Sequence, residues 1–209
     1  MVLSRSTSKD LSKNQLQLLL RIARNAIACR LAGKPDVSRK DLEKSAGKDY
    51  AALMQKRGAF VTLSINRHLR GCIGSLVASA PLLYAVNDNA LNSAFCDSRF
   101  AALSKNEFGK TSIEVSVLSP LSELKYSDSA DLLSKIEPHK HGVLLEFSNG
   151  AGSTFLPQVW EQLPEKEEFL SHLSAKAGMR PDSWRDLRPK VLVYTVQSAE
   201  ERGLNYNIR

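Results

Sequence analysis

The residues with the strongest chemical potential lie in one short segment, Leu69-Arg70-Gly71-Cys72-Ile73-Gly74. Two glycines in a six-residue strand usually mark a β-bulge or a close approach of backbone or ligand. If the segment is extended, alternation places Arg70 and Cys72 on one face, about 7 Å apart at Cα. A guanidinium at that separation favours the thiolate, the nucleophilic form of cysteine. The segment therefore predicts either a reactive thiol or a structural arrangement, in which Cys72 fills the core and Arg70 pairs with a carboxylate.

Groups that could assist this thiol lie elsewhere in the chain. His68 is four residues before the cysteine, about 13 Å along an extended strand, which is too far for a hydrogen-bonded Cys–His pair. Glu114 is on the polar face of a predicted strand and could oppose the arginine; an ion pair between two strands is expected there before a catalytic acid. Asp97 and Arg99 follow a predicted helix, where such a run commonly caps the helix or forms a surface pair.

Two histidines, His139 and His141, have the spacing of metal ligands on one face of a strand. No third convergent ligand is visible, so the sequence predicts no metal site. It also contains no P-loop, no dinucleotide-binding GxGxxG and no GxSxG nucleophile motif. The cofactor, the reaction class and the choice between an enzyme and a binding protein therefore stay open.

The pattern of apolar residues predicts an α+β fold with a mostly antiparallel sheet and flanking helices. Ser12 and Gln15 form a capping box before a helix that ends near Gly33. Residues 1–11 are predicted to be a loose arm and residues 12–203 a single domain. The predicted strands are 59–65, 69–76, 111–118, 141–147, 152–156 and 190–196, and the predicted helices are 12–31, 81–94, 130–136, 157–163 and 165–177.

Composition limits the class of protein. The 209 residues include 29 Lys+Arg and 22 Asp+Glu, a formal net charge of +7. The first 70 residues carry 15 of the basic and 5 of the acidic groups, a distribution that suits nucleic-acid binding or simply a solvated helix face. No zinc-finger or RNP signature supports the first reading. Three cysteines without a CxxC, no apolar run of membrane-spanning length and no signal peptide predict a cytoplasmic protein with no membrane association.

The segment Leu69–Gly74, LRGCIG, resembles the hallmark of the AMMECR domain family. One departure concerns residues 97–103, Asp-Ser-Arg-Phe-Ala-Ala-Leu, where the family commonly has Asp-Pro-Arg-Phe-Pro-Pro-Leu. Further blocks resemble the family and occur in the family's order, so that the resemblance covers about residues 12–196. These blocks are 58–62, 97–100, 113–120, 154–161, 169–170 and 176–178.

This resemblance implies an α+β fold of two unequal subdomains formed by one chain, with LRGCIG lining a cleft. It supplies no reaction, because the family's biochemistry is unassigned. Prokaryotic members are often encoded beside, or fused to, a Memo-like protein and a radical S-adenosylmethionine protein, which implies these as partners. The chain lacks the CxxxCxxC cluster motif, so it is not itself the radical enzyme.

Three hypotheses follow, in this order. The first is a cytoplasmic enzyme or ligand-binding protein in which Arg70 holds a small anionic group and Cys72 acts as nucleophile or redox thiol. The second is a non-catalytic interaction module that docks Memo-like and radical S-adenosylmethionine partners, and the third is nucleic-acid binding by the N-terminal third. The first hypothesis also gives roles to other residues. The amides of Gly71 and Gly74 assist binding, Glu114 is a weak catalytic candidate, and Asp97 and Arg99 are binding candidates.

Overall fold

The structure of the protein is a computed structural model that describes residues 10–201; residues 1–9 and 202–209 lie outside the described range. Most of the predicted loose arm, and the last two residues of the predicted domain, therefore fall outside it. Within the described range Leu11 is buried, and its amide donates a hydrogen bond to Oε1 of Gln197 at 2.9 Å. The chain is thus anchored from Leu11 onwards.

Helices and strands alternate irregularly along the chain. The helices are α1 (Lys13–Leu31), α2 (Arg39–Ala46), α3 (Tyr50–Leu53), α4 (Leu82–Phe95), α5 (Lys105–Phe108), α6 (Ser129–Lys135), α7 (Lys166–Lys176) and α8 (Ser183–Asp186). The strands are β1 (Ala59–Ile65), β2 (His68–Ser75), β3 (Thr111–Leu118), β4 (Ser122–Glu123), β5 (Gly142–Glu146), β6 (Gly152–Phe155), β7 (Lys190–Tyr194) and β8 (Val196–Glu200). Short 3-10 helices occupy Gly47–Asp49 and Pro157–Glu161.

The larger of two compact units contains residues 10–118 and 197–201 of the described chain. Its sheet has the order β2-β1-β3-β8, and β1 pairs antiparallel with both β2 and β3. Alternate residues of β1 and β3, such as Val61, Leu63, Ile113 and Val115, are fully buried in one core with the apolar residues of α1 and α4. Because side chains alternate along a strand, the residues between them lie on the other face of the sheet, away from α1 and α4.

The start of α1 follows directly from the sequence. Oγ of Ser12 accepts a hydrogen bond from the amide of Gln15, and the Gln15 side chain accepts one from the Ser12 amide, which is the predicted capping box. The helix ends at Leu31, two residues before Gly33, which adopts a positive φ of 71°. An arrangement of this kind satisfies the terminal amides of the helix and ends it with a residue that tolerates left-handed backbone.

The smaller unit, residues 119–196, has a sheet of order β4-β7-β5-β6 with antiparallel pairs. Its β5–β6 hairpin turns at Asn149-Gly150, where Gly150 has a φ of 84°, as predicted from the sequence. In its core the Trp160 ring stacks on Phe169, with centroids 3.6 Å apart, and the indole N–H donates to the carbonyl of His141 at 2.7 Å. The stacked rings of Trp160 and Phe169 therefore lie within the apolar core of this unit.

The predicted α+β class, with antiparallel strands, flanking helices and two unequal parts of one chain, is confirmed. Several boundaries differ from the prediction by one or two residues. The strand expected from residue 141 begins at Gly142, and the helix expected over 157–163 is a 3-10 helix that ends at Glu161. Between residues 10 and 201, no helix combines the length and the apolar character needed to cross a membrane.

Candidate functional site

The LRGCIG segment forms most of β2, at the edge of its sheet, and contains a β-bulge. Leu63 of β1 is opposite Gly71, but its neighbour Ser64 is opposite Leu69, so Arg70 is the extra residue. A bulge breaks the simple alternation of side chains and reorients the residue at the irregularity. The alternation from which Arg70 and Cys72 were predicted to share a face is therefore interrupted at Arg70.

The two glycines of the segment are required by packing. A Cβ at Gly71 would collide with the backbone carbonyl of Ser93 in α4, and a Cβ at Gly74 would collide with the Phe60 ring. Gly71 is buried and Gly74 is half-buried. The expectation that exposed amides of both glycines bind a ligand is wrong for Gly71, because α4 covers that residue.

Side chains of α4 tie β2 to β1. The hydroxyl of Ser93 accepts a hydrogen bond from the Ile73 amide at 2.9 Å and donates one to the Val61 carbonyl at 2.7 Å. One turn earlier, the amide group of Asn89 donates to the Ala59 carbonyl at 3.1 Å. The sequence analysis missed both residues. Their spacing of four was the available signal, because residues four apart lie on the same face of a helix.

Asp97 and Arg99 clamp the backbone of Cys72 at the free edge of β2. The Cys72 amide donates to Oδ2 of Asp97 at 2.8 Å, and Nη2 of Arg99 donates to the Cys72 carbonyl at 3.2 Å. Arg99 also donates to both carboxylate oxygens of Asp97, at 2.9 and 2.7 Å. These bonds, first from Arg99 and then from the Cys72 amide, hold the pKa of the buried Asp97 carboxyl well below its usual range. The pair thus blocks the strand edge and fixes Cys72.

The side chain of Cys72 is half-buried and belongs to a polar row across three strands. The hydroxyl of Thr62 in β1 donates to the Cys72 sulfur at 3.3 Å. Thr62 is in register with Glu114 of β3, whose Oε1 accepts a hydrogen bond from Ser116 at 2.8 Å. Thiol, hydroxyl and carboxylate therefore follow one another on the face that points away from α1 and α4, with the Arg99 guanidinium at the strand edge beside Cys72. This guanidinium is 54% exposed.

The sequence had suggested an ion pair between Arg70 and Glu114, but Arg70 pairs with a different glutamate. Nε and Nη2 of Arg70 donate to the two carboxylate oxygens of Glu107 in α5, at 2.8 and 3.2 Å. Hydrogen bonds from Arg70 first, then from the amide and hydroxyl of Ser104, lower the pKa of Glu107 to about 2. The bulge turns Arg70 toward α5. Arg70 is thus held in an ion pair, and Arg99 is the arginine beside the cysteine.

The three histidines considered in the sequence analysis are not part of this row. His139 is in a turn with a φ of 62°, so it does not share a strand face with His141, and that prediction is wrong. Nδ1 of His141 accepts a hydrogen bond from the Glu137 amide at 3.1 Å, and burial lowers the pKa of His141. His68 is exposed at the start of β2. Within residues 10–201, no three histidine, cysteine or acidic side chains form a group that could hold a metal ion.

Comparison with known proteins identifies the family of this chain. The AMMECR1 family model matches residues 20–199. A protein of Nanoarchaeum equitans is 37% identical over 164 residues, covering 74% of this chain and 91% of the relative. One of Methanopyrus kandleri is 33% identical over 201 residues, covering 92% of this chain and 91% of the relative. The crystal structure of an uncharacterized protein from Pyrococcus horikoshii is similar, with a TM-score of 0.78 and 31% identity over 92% of this chain and 94% of that one. The chain belongs to the AMMECR1 family.

Proposed function

We propose that the polar row of Cys72, Thr62 and Glu114 is a site for a small anionic ligand, with Cys72 as its reactive thiol. One observation carries this proposal: Cys72 is a half-buried residue, its sulfur accepts a hydrogen bond from the hydroxyl of Thr62, and its carbonyl accepts one from Arg99 at the strand edge. A structural cysteine is normally enclosed by apolar side chains, whereas a reactive one is partly exposed and near a positive charge.

The chemistry of each group fits its place in the row. A hydroxyl that donates to sulfur stabilises negative charge there, as a charge-assisted hydrogen bond. The pKa of Arg99 is raised, chiefly by its hydrogen bonds to Asp97 and to a smaller extent by Cys72. Its Nε and Nη2 are occupied, and Nη1 makes no hydrogen bond to the described residues, so Nη1 can meet a ligand oxygen. In this proposal Arg99 takes the anion-binding role that the sequence suggested for Arg70.

The test is alkylation of Cys72 in the folded protein. Cys96 is exposed and Cys29 is half-buried, so the protein should carry Cys29→Ser and Cys96→Ser to leave a single thiol. We expect iodoacetamide to label this protein at neutral pH without denaturant. Arg99→Met should slow labelling several-fold, because it removes the positive charge beside Cys72 and leaves the Asp97 carboxylate there without this partner.

Arg21→Met is the matched control, because Arg21 is an exposed arginine of α1 outside the site, and it should leave the labelling rate unchanged. Mass spectrometry at timed intervals gives the rates. A protein that is labelled only after unfolding would refute the reactive thiol. Equal rates in Arg99→Met and Arg21→Met would refute the role of Arg99.

A second candidate function is a docking face for the Memo-like and radical S-adenosylmethionine proteins that the family resemblance implies. Two exposed apolar side chains favour it: Leu69 at the start of β2 is 46% exposed, and Val77 just after β2 is 67% exposed. Burial of these two side chains in a complex would remove apolar surface from water and stabilise it.

Co-purification with a co-expressed Memo-like protein tests this candidate. We expect Leu69→Ser combined with Val77→Ser to abolish co-purification, because it removes the apolar anchors. The control is Leu187→Ser, which also removes an exposed leucine but in the smaller unit, and it should have no effect. Loss of the partner in both variants, or in neither, would contradict docking at the ends of β2.

A further inference from the structure

The polar row carries opposite charges at its two ends. At the strand edge, Arg99 lies beside the Cys72 carbonyl, with its guanidinium more than half exposed. At the other end, Glu114 stands on β3, two strands away from β2. The thiol of Cys72 and the hydroxyl of Thr62 lie between them. Arg99 is already in an ion pair with Asp97, so a ligand that covers the whole row meets the Nη1 donor of this guanidinium at one end and a carboxylate at the other.

Glu114 is not committed to a basic partner in the described chain. Its Oε1 accepts a hydrogen bond from the neutral hydroxyl of Ser116, and it forms no salt bridge with any residue from 10 to 201. Arg70, the basic residue of the same segment, is already paired with Glu107. A half-buried carboxylate without a positive partner is the group that recognises a ligand ammonium, because each charge in such a pair compensates the desolvation of the other.

The register of the sheet sets the length of the ligand. Cys72 is opposite Thr62, and Thr62 is opposite Glu114, so Cys72 and Glu114 are two strand spacings apart, or about 9.6 Å, and a ligand that also reaches Arg99 at the strand edge is at least this long. Three extended residues of a peptide span about 10 Å. The ammonium and carboxylate of a free amino acid are attached to one carbon, so a single amino acid cannot reach both ends.

We propose that the ligand of this site is a short zwitterionic chain, a peptide of at least three residues with free termini. Its carboxylate binds Arg99, its ammonium binds Glu114, and its middle lies over Thr62 and Cys72. This assignment rests on the proposed function of the polar row and adds the ligand class. A non-peptide chain with an amine and a carboxylate at the same separation shares this chemistry, and the choice of probes distinguishes the two.

Protection of Cys72 from iodoacetamide tests the proposal in the Cys29→Ser, Cys96→Ser protein. We expect Ala-Ala-Ala to slow labelling several-fold at saturation. N-acetylated or C-amidated Ala-Ala-Ala should need about tenfold higher concentrations for the same protection, since each cap removes a charge-assisted hydrogen bond. Free alanine should not protect, because it reaches only one end of the row. The probe 8-aminooctanoate carries an amine and a carboxylate at a similar separation but contains no peptide bond. If it protects Cys72 as well as Ala-Ala-Ala does, the assignment of the ligand to a peptide is overturned.

Charge-removing variants assign each end of the peptide. Glu114→Gln should abolish the difference between Ala-Ala-Ala and its N-acetylated form, and Arg99→Met should abolish the difference from the C-amidated form. Asp88→Asn, which changes an exposed acidic residue of α4 on the opposite face of the sheet, is the control and should preserve both differences. Labelling that no probe slows would overturn this inference and leave the reactive thiol standing. A Cys72 that is never labelled in the native protein would instead refute the proposed function itself.

Discussion

Replacing Gly71 by alanine is expected to lower the free energy of unfolding by about 3 kcal/mol, the upper part of the usual range for overpacking. The added methyl group would collide with the backbone carbonyl of Ser93. A flexible side chain could move aside, but a carbonyl within α4 is fixed by its helix. Moving α4 would also break the hydrogen bonds through which Ser93 joins β1 to β2. Urea unfolding followed by far-ultraviolet circular dichroism measures the change.

Gly109→Ala is the control for this prediction. Gly109 follows α5 with a φ of −64°, and a Cβ there would meet no atom within 4 Å. Its replacement should be neutral or stabilise by about 0.4–1 kcal/mol, because alanine restricts the unfolded chain. Gly74→Ala should fall between the two, since one of its obstacles, the Phe60 ring, can rotate. If Gly71→Ala and Gly109→Ala unfold at the same urea concentration, the close approach of α4 to β2 is absent.

Local patterns predicted the elements that carry the site. The alternation in β3 depends only on which face of the strand is buried, so Ile113 and Val115 were assigned to the core and Glu114 to the opposite face. The β1–β2 hairpin was likewise predicted by two apolar runs around a short turn. Such features are encoded within about ten consecutive residues, which is why composition and spacing identify them.

The site itself depends on contacts between distant residues. The direction of Arg70 is set by a bulge and by Glu107, 37 positions later, and neither can be deduced from the alternation of β2. Asp97 and Arg99 resembled a helix-end pair, but their hydrogen bonds reach back to Cys72, 25 and 27 positions earlier. The sequence therefore identified the residue types of the site, whereas the tertiary fold decided which arginine lies beside the thiol.

In the smaller unit, replacing Trp160 by alanine should lower the free energy of unfolding by about 3–5 kcal/mol. Trp160 is fully buried, its ring is stacked on Phe169 with an interplanar angle of 4°, and its indole N–H is bonded to the His141 carbonyl. The alanine variant removes the stacked ring and leaves a cavity that the sheet of the smaller unit cannot fill without moving. It also leaves the His141 carbonyl without this donor.

Trp160→Phe separates the two contributions. Phenylalanine keeps an aromatic ring against Phe169 but lacks the N–H, so we expect a loss of about 1–3 kcal/mol, the cost of an unsatisfied buried acceptor. The chain has two tryptophans, so the fluorescence of Trp184, which is also buried in this unit, reports unfolding of the same core in both variants. If the two variants agree within about 0.5 kcal/mol, the hydrogen bond rather than ring packing holds this core. A larger loss in the alanine variant identifies the Trp160–Phe169 stack as its centre.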